Sequence, residues 1–169
     1  MSSAVTHVVL PGTYDPVTLG HLDVIARASR LFAKVTVGVA ASRSKRGTGT
    51  VFSLEERVAM IEESLGEQGV SGVDVLPFEG LLVDFCREVG AGGVVKGLRA
   101  MTDFEFELQQ SDLNAHLAPQ LESVFVMASP EYGYVSSSIV RELASLDASV
   151  DGLVTPSVAA RLRRQYGGQ

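Results

Sequence analysis

Short apolar runs alternate with segments of helical period along almost the whole chain. Residues 5–10 (Val-Thr-His-Val-Val-Leu) are β-branched and apolar, which suits a strand covered on both faces. Pro11-Gly12 is expected to stop that strand, and Pro16 and Gly20 to keep the next segment irregular. A helix is expected from near His21, with Leu22, Ile25, Ala26 and Phe32 turned to a core. A second strand follows over 35–41 and a polar loop over 42–51. Ser53-Leu54-Glu55-Glu56 is a capping box, behind which Leu54, Val58, Ile61 and Leu65 recur at helical spacing. The pattern then predicts a strand over 73–78, a helix over 81–89, and a strand at 93–96 that opens into Gly97-Leu98-Arg99. A second capping box, Thr102-Asp103-Phe104-Glu105, starts a helix to about His116. A strand over 123–127, a short helix opened by Ser136-Ser137-Ser138, and a last helix capped by Thr155 with Pro156 at its first position complete the chain.

Strands that alternate with helices pair in parallel through right-handed crossovers, so the sequence predicts an α/β fold: a doubly wound, five-stranded parallel sheet with helices on both faces. In such a sheet ligands bind at the carboxyl ends of the strands, where strand order reverses. That rule gathers Thr13 and His21 after strand one, Arg43 and Lys45 after strand two, Lys96 and Arg99 at the end of strand four, and the serine triplet after strand five. His21 falls in the first turn of its helix, where free N–H groups and the helix dipole favour an anion and the imidazole adds a donor. The serines sit at another helix start and make a second phosphate cradle.

Composition narrows the ligand. The 169 residues, 46% hydrophobic and 20% charged, suffice for one core and one domain. No run approaches the roughly 18 to 20 apolar residues of a membrane span, and no leader pattern opens the chain, so no membrane association is expected and the expected compartment is the cytoplasm. The net charge of −6 disfavours a broad nucleic-acid surface. Yet no acidic residue lies between Asp23 and Glu55, where Arg27, Arg30, Lys34, Arg43, Lys45 and Arg46 fall, and the acid-free stretch from Val89 to Thr102 holds Lys96 and Arg99. Local positive patches on an acidic protein suit a small anionic ligand. Arg27, Arg30 and Lys34 read as a solvated helix face, and Arg161, Arg163 and Arg164 as solvent-directed. Cys86, His7 and His116 read as structural. Neither a Gly-x-x-x-x-Gly-Lys loop nor a Gly-x-Gly-x-x-Gly fingerprint is present.

The motifs Pro11-Gly12-Thr13-Tyr14-Asp15-Pro16, Thr18-Leu19-Gly20-His21, Ser42-Arg43-Ser44-Lys45, Leu54-Glu55-Glu56-Arg57, Lys96-Gly97-Leu98-Arg99-Ala100, Asp103-Phe104-Glu105-Phe106-Glu107 and Val135-Ser136-Ser137-Ser138 closely resemble those of bacterial phosphopantetheine adenylyltransferases, in the nucleotidyltransferase superfamily. The resemblance spans nearly the whole chain and implies a single Rossmann-like nucleotidyltransferase domain over 1–169. It implies that ATP and 4'-phosphopantetheine react to dephospho-coenzyme A and pyrophosphate, a step of coenzyme A synthesis, with Mg2+, a homohexamer and feedback by coenzyme A. By motif position Thr13, Lys45, Leu82, Lys96 and Asn114 would contact phosphopantetheine. Thr13, Tyr14, His21, Gly97, Leu98, Arg99, Glu107, Tyr132, Gly133, Tyr134, Val135, Ser136, Ser137 and Ser138 would contact ATP. His21, Thr13 and Lys45 would act on the reacting phosphates. Three features depart from the family pattern: Tyr14 in place of phenylalanine, Lys96 in place of arginine, and Gly47-Thr48-Gly49, which lengthens the basic loop.

The implied chemistry needs no protein nucleophile. A phosphate monoester with a second pKa near ~6 is already mostly a dianion at neutral pH, so it attacks without a general base. Mg2+ is expected on phosphate oxygens and water rather than in a cage of protein side chains, Asp15 being the nearest carboxylate, with fixing of the turn around Pro16 as its other role. Two alternatives stay open: transfer to another phosphorylated acceptor, and a non-catalytic nucleotide-binding regulator.

Overall fold

The computed structural model describes residues 4–41, 49–99 and 101–167, and the side chains of Met101 and Thr102 lie outside the description. Five strands, β1 (His7–Gly12), β2 (Lys34–Ala40), β3 (Val73–Phe78), β4 (Gly93–Leu98) and β5 (Glu122–Met127), form one parallel sheet in the order β3-β2-β1-β4-β5. Helices α1 (Leu19–Leu31), α2 (Leu54–Glu67), α3 (Leu82–Val89), α4 (Met101–Leu117), α5 (Ser137–Ser145) and α6 (Pro156–Tyr166) complete the doubly wound fold. Two apolar clusters flank the sheet, one around Ile25, Met60, Ile61 and Leu162, the other around Val9, Phe85, Cys86 and Val94.

The order reverses between β1 and β4, and there the ladder is short. β1 pairs with β2 from His7 to Gly12 but with β4 only at Val8 and Val9. Beyond Val9 the two strands part, so the carboxyl end of β1 is in effect an edge. Proline is tolerated on an edge because no ladder bond is lost, which is why Pro11 and Gly12 extend β1 instead of ending it. The same parting opens the crevice that the strand-order rule anticipates.

Several boundaries differ from the sequence reading for local reasons. Helix α1 begins at Leu19, because Thr18 and His21 form a reciprocal cap. Its core face is Leu22, Val24, Ile25 and Ala28, while Ala26 and Phe32 are only partly covered. Helix α4 starts at Met101, ahead of the expected cap at Thr102. Thr155 does precede α6, but its hydroxyl bonds Ser64 at 2.8 Å and Ser157 at 3.2 Å rather than the helix backbone. A 3₁₀ turn at Pro130–Tyr132 has no counterpart in the sequence reading. Arg27 and Arg161 are not merely solvated: Arg27 donates to the Met127 carbonyl at 2.6 Å, and Arg161 pairs with Glu63 at 2.6 Å. Cys86 is buried as expected, and burial pushes its thiol up to about 11, which removes it as a nucleophile.

Candidate active site

Two cavities meet at the turn after β1. The first, of about 350 Å3, is lined by Tyr14, His21, Gly97, Arg99 and Glu107, by Tyr132 and Val135, and by Ser136, Ser137 and Ser138. The second, of about 800 Å3, is lined by Thr13, Ala40, Leu82, Lys96, Asn114 and the Glu79–Gly80–Leu81 turn among others. Thr13 and Tyr14 are consecutive, yet they face different cavities.

His21 is held from both sides. The Thr18 backbone N–H donates to His21 Nδ1 at 3.0 Å, and the His21 N–H donates to Thr18 Oγ1 at 3.4 Å. A backbone N–H can only donate, so Nδ1 is the acceptor and the ring proton sits on Nε2. Although its side chain reaches the cavity, desolvation and then the Arg99 charge lower its pKa to about 4, so the ring is neutral at physiological pH. The result is a fixed Nε2–H donor in the first turn of α1.

Tyr14 sets the other face of that ring. Its aromatic ring meets His21 edge-on at 5.0 Å, and its hydroxyl donates to the Leu10 carbonyl at 3.0 Å. This bond satisfies a buried phenol, whose ionisation is suppressed by burial. Tyr14 takes a φ of 51°, a left-handed turn conformation uncommon for a side chain of this size. A Cβ on Gly12 would lie 2.9 Å from the Tyr14 ring, so glycine there is a steric requirement of the ring's position.

The serine cradle is built more asymmetrically than the three hydroxyls suggest. Ser136 Oγ caps α5 by accepting from Ile139 N at 3.2 Å, and Ser137 Oγ donates to the Pro16 carbonyl at 2.8 Å. Ser138 Oγ accepts from Arg141 at 3.4 Å. The Ser137 hydroxyl thus ties the start of α5 to the β1 turn, and Ser136, Ser137 and Ser138 line the first cavity at a helix start, where an anion is favoured. Arg99 closes the opposite side, oriented by the Asp103 carboxylate at 3.1 Å and by the Val135 carbonyl at 2.9 Å.

Lys96 and Glu107 meet where the two cavities adjoin. Lys96 Nζ lies 2.5 Å from Glu107 Oε2, and each side chain is 21% exposed. Among the described residues Oε2 is shielded from solvent and has no aligned hydrogen bond, so the contact is an ion pair without good donor geometry.

Residues 9–143 match the family described as cytidylyltransferase-like. A protein of Moorella thermoacetica named phosphopantetheine adenylyltransferase is 50% identical over 159 residues, covering 94% of this chain and 96% of its own. One of the same name from Roseobacter denitrificans is 47% identical, covering 93% and 95%. The chain belongs to the phosphopantetheine adenylyltransferase family. Among solved structures, the bifunctional NMN adenylyltransferase/ADP ribose pyrophosphatase of Francisella tularensis superposes with a TM-score of 0.72 at 17% identity. That match covers 97% of this chain and 52% of the bifunctional protein, and it supports the fold alone.

Against the phosphopantetheine adenylyltransferase pattern, Thr13, Leu82, Lys96 and Asn114 are brought together in the second cavity. The residues Tyr14, His21, Gly97, Arg99, Glu107, Tyr132, Val135, Ser136, Ser137 and Ser138 converge on the first. Thr13 does not line that first cavity. Leu98 is buried in the sheet, and Gly133 and Tyr134 do not line it either, Tyr134 being 65% exposed. Lys45, Arg43 and the Gly47-Thr48 part of the loop lie outside the described residues.

Four residues of consequence are not singled out by the sequence reading. Thr18 sets the His21 tautomer, Asp103 orients Arg99, Arg141 donates to the Asp15 carbonyl, and Arg57 is buried beneath the Thr13 turn. The signal for Thr18 was present, since Thr at i and His at i+3 around a helix start is capping-box spacing. Asp103 stands four residues from Arg99, whereas Arg141 reaches Asp15 and Arg57 reaches Thr13 across long sequence separations that no local spacing reveals.

Asp15 does not stand ready for a metal. Its two carboxylate oxygens accept from Val51 N at 2.8 Å and Phe52 N at 3.0 Å, and Arg141 lies 3.8 Å away. Among the described residues no three His, Cys, Asp or Glu side chains gather as a metal group.

Proposed function

We propose that the chain transfers the adenylyl group of Mg2+-bound ATP to 4'-phosphopantetheine, giving dephospho-coenzyme A and pyrophosphate in a reversible reaction. The observation that carries this reading is the pair of cavities sharing one turn, a donor-rich one at Tyr14, His21, Arg99 and the serine cradle, and a larger one at Thr13 and Lys96. Family membership supports the choice of acceptor.

The chemistry follows from the donors. A phosphate oxygen of the acceptor attacks the α-phosphorus of ATP, the bond to the bridging oxygen breaks, and its electron pair leaves with pyrophosphate. His21 Nε2–H, neutral and already oriented, donates to the charge that develops on the phosphates without having to lose or gain a proton. Thr13 orients the attacking phosphate, Lys45 joins by its motif position, and Arg99 neutralises the triphosphate. No covalent enzyme intermediate forms. Mg2+ arrives as part of the nucleotide substrate.

Assembly as a homohexamer belongs to the same reading. It is supported by Phe104, Phe106, Leu108, Leu113 and Leu117, apolar side chains of α4 left exposed on a single chain. Coenzyme A, built on the product's own skeleton, is the feedback ligand of this reading.

Incubation with ATP, Mg2+ and, in parallel, 4'-phosphopantetheine, nicotinate mononucleotide or glycerol phosphate tests the proposal. Pyrophosphate release with a product of dephospho-coenzyme A mass is expected for the first acceptor alone. Release only with another acceptor, or ATP binding with no release at all, would overturn it.

A further inference from the structure

Arg57 is the largest fully buried side chain among the described residues, 1% exposed, and it bears a charge. Such a cation is costly to bury unless its donors are engaged. Its guanidinium makes no ion pair within 4.0 Å among the described residues, and all its bonds go to backbone carbonyls. Nη1 donates to Thr13 O at 2.7 Å and to Ala40 O at 2.9 Å, and Nε donates to Phe52 O at 3.2 Å. Thr13 and Ala40 both line the second cavity.

The aim of this side chain is set by α2. Ser53 and Glu56 cap the helix reciprocally, at 3.1 Å and 2.8 Å, which fixes the first turn and directs Arg57 back beneath the sheet's carboxyl end. Asp15 completes the connection in the reverse direction by accepting from Val51 N and Phe52 N. The β1 turn and the start of α2 with the segment before it therefore hold each other through two charged side chains, Asp15 and Arg57. The Asp15 and Glu55 carboxylates both favour the Arg57 charge without touching it, and Asp15 is shared with Arg141 and two N–H groups.

Carbonyl oxygens at the ends of β1 and β2 would present negative dipole ends to an incoming phosphate. Arg57 turns two of them inward and places a positive charge behind them, in surroundings where electrostatic effects are poorly screened. We propose that Arg57 is a positioning residue for the acceptor: it fixes Thr13 in register and makes the floor of the second cavity attractive to a phosphate monoester. This inference rests on the adenylyl-transfer reading.

The test uses the full-length protein and its Arg57→Met and Arg57→Lys variants. Calorimetry with 4'-phosphopantetheine and with phosphate-free pantetheine is combined with steady-state kinetics in both substrates. For Arg57→Met the acceptor KM is expected to rise tenfold or more, with pantetheine binding and ATP KM unchanged within threefold. For Arg57→Lys, which keeps charge but not the three-way donation, acceptor KM is expected within threefold of wild type while kcat falls about tenfold. Equal losses for phosphopantetheine, pantetheine and ATP, or a lysine variant indistinguishable from either methionine variant or wild type, would overturn the proposal. Should the methionine variant not fold, the kcat-against-KM split of the lysine variant decides. Wild-type protein that binds 4'-phosphopantetheine without turnover would refute the reaction, leaving the phosphate-dependent binding difference to judge Arg57.

Discussion

Lys96 Nζ and Glu107 Oε2 lie 2.5 Å apart at the boundary of the two cavities, so one ion pair joins a side chain of each. In the proposed reading, an incoming acceptor phosphate competes with Glu107 for Lys96. Glu107→Gln keeps the shape and removes the competitor, so the acceptor KM is expected to fall about fivefold, equivalent to roughly 1 kcal/mol. Lys96→Ala is expected to raise it about tenfold. Initial rates with ATP saturating check both, and an unchanged acceptor KM in Glu107→Gln would show that the pair does not compete.

The neutral state of His21 makes stability depend on pH with a definite sign. Its pKa is about 4 when folded and near 6.5 when unfolded, so between those values the unfolded chain binds more protons and stability falls as pH drops. The loss from pH 7 to pH 5 amounts to about 2 kcal/mol for this group. Urea unfolding at the two pH values should show that loss in wild type and its absence in His21→Gln. The His21→Ala variant should fold and lose kcat by about 10²-fold or more, as expected for a missing transition-state donor. Near-normal turnover in His21→Ala would remove His21 from the chemistry.

Gly12→Ala should reach the chemistry indirectly. The added Cβ meets the Tyr14 ring at 2.9 Å, and that ring is tied by its hydroxyl and packed edge-on against His21. Overpacking of this kind costs about 1–3 kcal/mol. Thermal melts should register the destabilisation, and kcat should fall about tenfold with ATP KM little changed.

Asp103 orients Arg99 through its carboxylate, at 3.1 Å to Nε and 3.2 Å to the backbone N. Asp103→Ala is expected to raise the ATP KM about tenfold while leaving the acceptor KM near wild type. Equal effects on both substrates would mean that Arg99 is not specific to the nucleotide side.

Asp15→Asn separates a structural carboxylate from a metal ligand. Because both oxygens accept backbone N–H groups, the variant should melt several degrees lower and leave the Mg2+ dependence of the rate unchanged. A shifted Mg2+ dependence would place the ion on Asp15.

The parallel sheet and its crevice were legible because the apolar runs, glycines and caps are local signals. The Ser53–Glu56 cap and the strand at Val73–Phe78 agree with the sequence reading residue for residue. The continuation of β1 through Pro11 was not legible, because it depends on β4 leaving β1 after Val9, a tertiary fact. Arg57 was visible only as part of a motif. Its neighbours Thr13 and Ala40 lie 44 and 17 residues away, and nothing in the spacing predicts that it would lie under them. The serines were recognised as a cradle, but which hydroxyls brace the helix start depends on Pro16 and Arg141 meeting them in space.

The division of Thr13 and Tyr14 between the two cavities gives the active site a ruler made of covalent bonds. Adjacent α-carbons across a trans peptide stand about 3.8 Å apart whatever the solvent or temperature. The α-carbons of the two residues that face the two cavities are thus held one peptide unit apart. In the proposed reading, the nucleotide and its acceptor would each meet one of two neighbouring residues of the same turn.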